Sequence, residues 1–180
     1  MFSEMLSFKE DVTFTHPTRN FRYTIPAGWG ISLKHGDNRA SNDPKTVDHD
    51  DPSFQSRAVE GKKIGPCSFG ITIEPMVKSH PRGAAVAAGL KRDRERIEIK
   101  QVLEAKRRDQ GDPKKKCSFI GWQTYEAPRR DPSNNRHIFY QGYDQDNVLY
   151  VFNTGSEDRH FEMCKADFMK IIESVKFCIR

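Results

Sequence analysis

A histidine and a cysteine that could act together as a base and a nucleophile occur at one place in the sequence, His160 and Cys164. On a helix this four-residue spacing puts both side chains on one face. A catalytic thiolate also needs an acid that orients the histidine and a cleft for the substrate. No motif around the pair supplies either, and no serine-hydrolase Gly-x-Ser-x-Gly motif is present. We therefore predict that the protein has no catalytic residues, with a small hydrolase that uses Cys164 or a loop carboxylate as the alternative.

Acidic residues that could bind a metal ion cluster at Asp48–Asp51, which includes His49, and at Asp144 and Asp146. Oxygen-rich loops bind calcium, but neither cluster has the spacing of a calcium loop with its glycine and terminal glutamate. The sequence also contains no Cys-x-x-Cys pair of the zinc-ribbon or thioredoxin type. We predict solvated turns at both clusters, with no metal and no cofactor.

The redox state of the four cysteines, Cys67, Cys117, Cys164 and Cys178, is left open by the sequence. Three fully paired connectivities are possible. Cys67 and Cys117 each open a predicted strand, so a bridge between neighbouring strands is one of them. Because no signal peptide is visible, buried reduced thiols and a cytoplasmic location are favoured. A trimmed precursor numbered from an added methionine would look the same, and it would be periplasmic.

The net charge of +5 lies in one segment of the chain. Residues 91–116 contain eleven lysines and arginines but six aspartates and glutamates, an excess equal to that of the whole protein. A localised basic excess predicts a surface for an acidic partner, although a solvated helix face with a lysine-rich turn is the simpler interpretation. The candidate partner-binding residues lie in this segment and in a basic loop at 127–136: Arg92, Arg96, Lys100, Arg107, Arg108, Lys114, Lys115, Lys116, Arg129 and Arg130.

Nucleic acid is the alternative partner for these basic residues, which could neutralise several phosphates. Acidic residues alternate with the basic ones at 91–104 and would form ion pairs within a helix. No aromatic residue occurs between 91 and 116 for base stacking. The sequence therefore favours a protein partner with an acidic surface over nucleic acid.

Alternating apolar residues predict the elements that would position these side chains. Strands at Cys117–Glu126, His137–Tyr143 and Val148–Phe152, followed by a helix over Cys164–Glu173, indicate an antiparallel meander closed by a packing helix. Asp144–Asn147 is a connection of hairpin length between the second and third strands. This half of the chain is therefore predicted to be α+β.

The first half of the chain is predicted to hold short strands at Asp11–His16, Asn20–Ile25 and Cys67–Glu74, with a further strand after Trp29. Residues 36–56 are polar and predict a long surface loop. A helical pattern from Ser79 to about Arg108 makes most of the basic 91–116 segment helical. We predict one domain over residues 1–180, with no run near the ~18 apolar residues of a membrane span.

Two motifs resemble the PsbP-like fold family. Phe21–Trp29 resembles an aromatic strand that enters a Pro-x-Gly-Trp turn, and Phe168–Phe177 resembles a closing helix that continues into a Ser-x-x-Phe strand. The family includes the extrinsic PsbP subunit of photosystem II, a Ran-binding nuclear-transport factor and many small bacterial proteins. The resemblance implies an α+β fold with a twisted antiparallel β-sheet flanked by helices on both faces, an α/β/α sandwich.

The resemblance also implies a function, because members of this family are mostly non-catalytic and bind other proteins. One bacterial group serves toxin-delivery systems as adaptors or immunity proteins. We therefore expect a non-enzymatic protein-binding accessory module, such as an adaptor or immunity protein. The polar 36–56 segment and the basic 91–116 segment depart from the family's pattern, and a specific role is expected there.

Overall fold

In a computed structural model of the protein, residues 7–31, 53–56, 65–75, 102–126 and 135–180 are described. Within these ranges the chain forms eleven strands and one helix. They are β1 (Val12–Thr15), β2 (Phe21–Ile25), β3 (Gly30–Ile31), β4 (Ser53–Gln55), β5 (Ser68–Pro75), β6 (Val102–Arg107), β7 (Gln110–Asp112), β8 (Cys117–Glu126), β9 (Asn135–Asp144), β10 (Val148–Glu157), α1 (Asp158–Ser174) and β11 (Lys176–Phe177).

The strands form two antiparallel sheets. The main sheet has the order β3-β4-β5-β10-β9-β8-β6, and β7 pairs with β8 beside β6. The small sheet has the order β1-β2-β11. Strands β8, β9 and β10 are consecutive neighbours, with Phe119 opposite Asp144 and Leu149 opposite Tyr143. The predicted meander and its hairpin connection are therefore confirmed.

Aromatic side chains fill the core between the two sheets and α1. Phe21, Tyr23 and Ile25 of β2 are buried on one face, as their alternation predicts. Phe177 of β11 stacks on Phe119, with ring centroids 4.0 Å apart and the planes 3° from parallel. Because β11 has two residues, its position depends on this packing more than on its ladder.

Helix α1 covers the core with one apolar face. Its buried residues are Phe161, Cys164, Phe168, Ile171 and Ile172, which recur at helical spacing. In the described part of the chain this is the one helix, so helices on both faces of the sheet are not supported there. The described structure is a sheet-rich α+β fold with a single helical layer. None of the described residues forms a helix with the length and apolar character needed to cross a membrane.

The predicted helix is wrong over residues 102–108. Val102–Arg107 forms strand β6, which pairs with β8 along the edge of the main sheet. The residue types favour a helix, but an unpaired strand edge provides backbone hydrogen bonds that outweigh local propensity. The predicted helical residues 79–101 lie outside the described ranges.

The predicted surface loop is wrong at its end, where Ser53–Gln55 forms strand β4. Phe54 is fully buried against Phe14 and Phe69. One aromatic residue in a polar stretch gives no periodic pattern, so this strand could not be recognised by alternation. Residues 36–52 lie outside the described ranges.

Candidate functional site

All four cysteines are paired. Cys67 is bonded to Cys164, with Cα atoms 5.8 Å apart, and Cys117 is bonded to Cys178, with Cα atoms 5.7 Å apart. The expected reduced thiols, and the possible bridge between Cys67 and Cys117, are therefore wrong. The pairs depend on how α1 and the C-terminal residues pack on the sheets, which the spacing of the cysteines does not reveal. Since the Cys164 sulfur is bonded, it cannot act as the thiolate of a pair with His160.

Three consecutive exposed lysines, Lys114, Lys115 and Lys116, form the turn between β7 and β8, which we call the basic turn. Asp112, the last residue of β7, stabilises the start of this turn. Its carboxylate accepts a hydrogen bond from the Lys114 backbone N–H at 2.9 Å, and its carbonyl accepts one from Lys115 at 2.9 Å. No ion pair between described residues involves a lysine of the basic turn. Three of the predicted partner-binding residues are thus placed together on a defined turn.

The C-terminal tail, residues 178–180, is fixed beside the basic turn by Asn20. The Asn20 carbonyl accepts a hydrogen bond from the Cys178 N–H at 2.9 Å, and its side-chain oxygen accepts one from the Arg180 N–H at 2.9 Å. The Asn20 side-chain NH₂ donates to the Cys117 sulfur at 3.5 Å. The Arg180 guanidinium donates to the His16 carbonyl at 2.7 Å. We call the basic turn, this tail and the small sheet next to it the basic end.

Gly111 allows the Cys117–Cys178 bridge to pack against β7. Its φ is +72°, in the left-handed region. A Cβ at this position would lie 2.6 Å from the Cys117 carbonyl oxygen and 2.8 Å from the Cys178 sulfur. Glycine is therefore required both by the backbone conformation and by the close approach of the bridge.

Arg107 and Arg108 have partners at the edge of the main sheet. Arg107 donates to the Asp109 carboxylate at 2.7 Å, and its guanidinium carbon lies 4.8 Å from the centre of the Trp122 ring. Arg108 is half-buried, 5.6 Å from the Tyr140 ring. These two predicted residues are thus engaged within the protein, unlike the lysines of the basic turn. The predicted Arg92, Arg96, Lys100, Arg129 and Arg130 lie outside the described ranges.

Beneath the basic end, Gln110 joins β7 to the backbone around β11 and also donates to the hydroxyl of Tyr140 at 3.2 Å. The Gln110 NH₂ group donates to the Val175 carbonyl at 2.8 Å, and its oxygen accepts from the Phe177 N–H at 2.8 Å. The Tyr140 hydroxyl donates to the Arg108 carbonyl at 3.0 Å. Burial raises the pKa of Tyr140 to about 12, although the hydrogen bond from Gln110 and the charge of Arg108 oppose this rise.

A cleft of about 440 Å³ lies at the other end of the molecule, where β10 continues into α1. Its lining includes His137, Glu157, Arg159 and His160. Gly155 makes room for the His137 ring, because a Cβ there would lie 2.5 Å from its Nδ1. The described residues contain no group of three or more side chains suited to holding a metal ion. We call this region the cleft end.

No protein-family model and no curated protein matches the sequence. The structure is similar to the solution structure of cyanobacterial PsbP (CyanoP) from Synechocystis sp. PCC 6803. The TM-score is 0.59, with 10% sequence identity over 96% of this chain and 95% of that chain. The protein has the PsbP-like fold.

Two further structures match with lower similarity. The Ran-binding protein Mog1p of Saccharomyces cerevisiae gives a TM-score of 0.47 at 6% identity, over 94% of this chain and 96% of that chain. The Pseudomonas aeruginosa protein PA94 gives 0.45 at 9% identity, over 89% and 92%. The similarity to CyanoP confirms the predicted resemblance to the PsbP-like fold, and a sequence identity of 10% is evidence for the fold alone.

The two motifs that resemble the PsbP-like family have structural roles in this chain. Trp29 is buried, and its indole N–H donates to the Asp167 carboxylate of α1 at 2.9 Å. Gly28, which precedes it, has a φ of +87°. Phe177 completes the aromatic stack on Phe119. The basic turn lies in neither motif, so the resemblance to the PsbP-like family does not account for its three lysines.

Four basic residues at the basic end were not predicted as site residues: Arg19, Arg22, Lys176 and Arg180. They come from the two ends of the sequence, and no local charge cluster marks them. The signal that could have pointed to Lys176 and Arg180 is their position around Cys178, once its bond to Cys117 is known. Arg22 becomes a neighbour of Lys176 only through the pairing of β2 with β11.

Proposed function

We propose that this protein is a non-enzymatic protein-binding module that recognises an acidic protein surface through its basic turn. The observation that carries the proposal is the placement of Lys114, Lys115 and Lys116, all exposed, on one turn. The three positive charges have no ion-pair partner among the described residues. A group of unpaired like charges is complementary to an acidic patch and would speed association with one.

The surroundings of the basic turn support a binding role because they hold its backbone in place. Asp112 fixes the start of the turn, and the Cys117–Cys178 bridge fixes the residue that follows it. A binding surface that is ordered before association loses less conformational entropy when the partner binds. The lysine side chains themselves remain free to adjust to the partner.

The specific role we propose is that of an accessory protein, an adaptor or immunity protein of a bacterial toxin-delivery system. The resemblance of the sequence to the PsbP-like family supports this role, since that family includes such proteins. We further propose an oxidising compartment such as the periplasm. The two disulfides support it, because bridges of this kind persist where thiols are not kept reduced.

Nucleic acid is the competing partner, because lysines also bind phosphates. The aromatic residues next to the basic end argue against it. Phe119, Tyr150 and Phe177 are buried in the core and cannot stack on bases. We therefore favour a protein partner and treat nucleic-acid binding as an outcome that the experiment must distinguish.

The experiment compares two variants with the same change in net charge. One carries Lys114→Glu, Lys115→Glu and Lys116→Glu, and the control carries Lys9→Glu, Lys165→Glu and Lys170→Glu, three exposed lysines elsewhere. A labelled polyglutamate peptide and a labelled oligothymidylate of the same length serve as probes in fluorescence anisotropy without reductant.

We expect the wild type and the control to bind the peptide, and the turn variant to bind it at least about tenfold more weakly. Equal peptide affinities for the two variants would contradict the role of the basic turn. Tighter binding of the oligothymidylate than of the peptide, lost in the turn variant, would replace the protein partner with nucleic acid.

A further inference from the structure

We propose that the binding surface continues from the basic turn across the Cys117–Cys178 bridge onto the outer face of the small sheet. There Arg22, Lys176 and Arg180 would bind the same acidic protein segment as the basic turn. This inference rests on the proposed function and names three further residues for it. None of them belongs to the basic segment of the sequence.

The first observation is a pair of like charges on neighbouring strands. Arg22 of β2 lies directly opposite Lys176 of β11 in the small sheet, and both side chains are exposed. Side chains at directly opposed positions have Cβ atoms about 5 Å apart, and like charges there destabilise a sheet. No described acidic residue forms an ion pair with either one. A carboxylate from a partner, bound between them, would remove this repulsion.

The second observation is the fixed position of Arg180. Its backbone N–H donates to Asn20, and its guanidinium donates to the His16 carbonyl at 2.7 Å and the Pro17 carbonyl at 3.4 Å. These contacts hold the last residue of the sequence against the turn between β1 and β2. Both acceptors are neutral carbonyl groups, and none of the ion pairs between described residues includes the Arg180 guanidinium.

The bridge connects these residues to the basic turn. Lys116 directly precedes Cys117, while Lys176 and Arg180 lie two residues on either side of Cys178. The Cα atoms of the two cysteines are 5.7 Å apart. Since a strand rises about 3.3 Å per residue, Lys176 lies within about 7 Å of Cys178 along the chain. The two groups of basic residues therefore flank the same disulfide.

The face itself indicates which partner fits. The other outward residues of the small sheet are threonines, Thr13, Thr15 and Thr24, while the aromatic side chains of β2 point into the core. The Thr13 and Thr24 hydroxyls are hydrogen-bonded to each other at 2.8 Å, which leaves one hydrogen of this pair and that of Thr15 to donate to a carboxylate. Threonines offer no surface for base stacking. A positive face without exposed aromatic side chains fits an extended acidic segment of a protein.

Single charge reversals test this inference because they should change binding and stability in opposite directions. In Arg22→Glu or Lys176→Glu the repelling pair becomes an attracting one, so the free protein should fold and its melting temperature should stay equal or rise. We expect each variant to bind the labelled polyglutamate peptide about tenfold more weakly at low salt. Arg180→Glu should weaken binding as well, and the exposed control Lys165→Glu should not.

The results of these experiments separate failure of this inference from failure of the proposed function. If reversal of the basic turn weakens peptide binding while Arg22→Glu and Lys176→Glu bind like the wild type, the inference fails and the proposed function stands. If no reversal at the basic end changes binding, both fail. If the variants lose affinity for oligothymidylate but not for the peptide, the surface binds nucleic acid and the inference is overturned.

Discussion

The cleft end and the basic end contain one disulfide each, and the two bridges stabilise different kinds of structure. At the cleft end, Cys67 and Cys164 are 3% and 1% exposed and join the entry of β5 to α1 inside the core. At the basic end, Cys117 and Cys178 are half-buried and join β8 to the C-terminal tail. The first bridge reinforces packing that is already apolar. The second fixes exposed, charged chain that has little packing of its own.

This difference shows how the fold can hold a charged surface in place. The tail follows β11, a strand of two residues, and both rely on side-chain contacts, chiefly those of Gln110 with β11 and of Asn20 with the tail. Such contacts are worth about 1 kcal/mol each. The Cys117–Cys178 bridge and the buried Phe177 ring therefore provide most of the order that keeps the basic end in one conformation.

Loss of the Phe177 ring should have the largest effect on stability. Phe177 stacks on Phe119 and also contacts Phe21 and Tyr150 edge-on or stacked, so Phe177→Ala leaves a cavity beneath the basic end. We expect about 4 kcal/mol of destabilisation in urea unfolding. Met163→Ala is the matched control, since Met163 is 57% exposed, and it should change little. A loss below about 1 kcal/mol for Phe177→Ala would show that the aromatic stack does not hold β11.

Removal of the disulfides should separate stability from binding. Cys67→Ala with Cys164→Ala opens a bridge that spans 97 residues, and we expect a loss of about 3 kcal/mol. Cys117→Ala with Cys178→Ala opens one that spans 61 residues and should cost slightly less. The second variant should nevertheless lose more affinity for the polyglutamate peptide. The reverse order of the two affinities would contradict our distinction between the ends.

The phenol of Tyr140 should make the folded state sensitive to alkaline pH. Its pKa is raised from 10.0 to about 12, so folding favours the protonated form. The stabilisation is complete below pH 10 and is lost as the pH rises through 12, a difference of about 3 kcal/mol. Tyrosinate absorbance should show one fewer late-titrating group in Tyr140→Phe. An unchanged titration curve would rule out this assignment.

Arg107 should have the smallest effect. Its ion pair with Asp109 is half-exposed and its contact with Trp122 lies at the sheet edge, so Arg107→Gln should cost about 0.5 kcal/mol. Because the guanidinium is already engaged, peptide affinity should fall less than about twofold relative to the wild type. This is a smaller loss than we expect for any single substitution in the basic turn. A loss of affinity as large as that of Lys115→Glu would extend the binding surface to the edge of β6.

The sequence predicted the elements whose residues alternate or repeat regularly. Strands β2 and β8 and helix α1 each have their own apolar pattern, and two short motifs sufficed for the resemblance to the PsbP-like fold. Strand β4 contains one aromatic residue, and β6 has helix-favouring residues that form a strand because β8 has a free edge. Such elements are determined by their neighbours, which local patterns do not contain.

The candidate site, like the fold, could be predicted where its residues are close together in the sequence. Lys114–Lys116 were predicted because their charges are consecutive in the sequence. Arg22 and Lys176 were missed because they are distant in sequence, and only the pairing of β2 with β11 brings them together. The disulfide partners were missed for the same reason, since the packing of α1 and of the tail selects them.

Amide chemical-shift mapping with the polyglutamate peptide tests the central claim most directly, because both ends of the molecule are observed in one experiment. We predict that the shifts concentrate at the basic end, on Lys114–Lys116, Arg22 and residues 176–180, and that they diminish as salt is added. Shifts that concentrate instead around His137 and His160 at the cleft end, or that are spread evenly over exposed lysines, would contradict the claim.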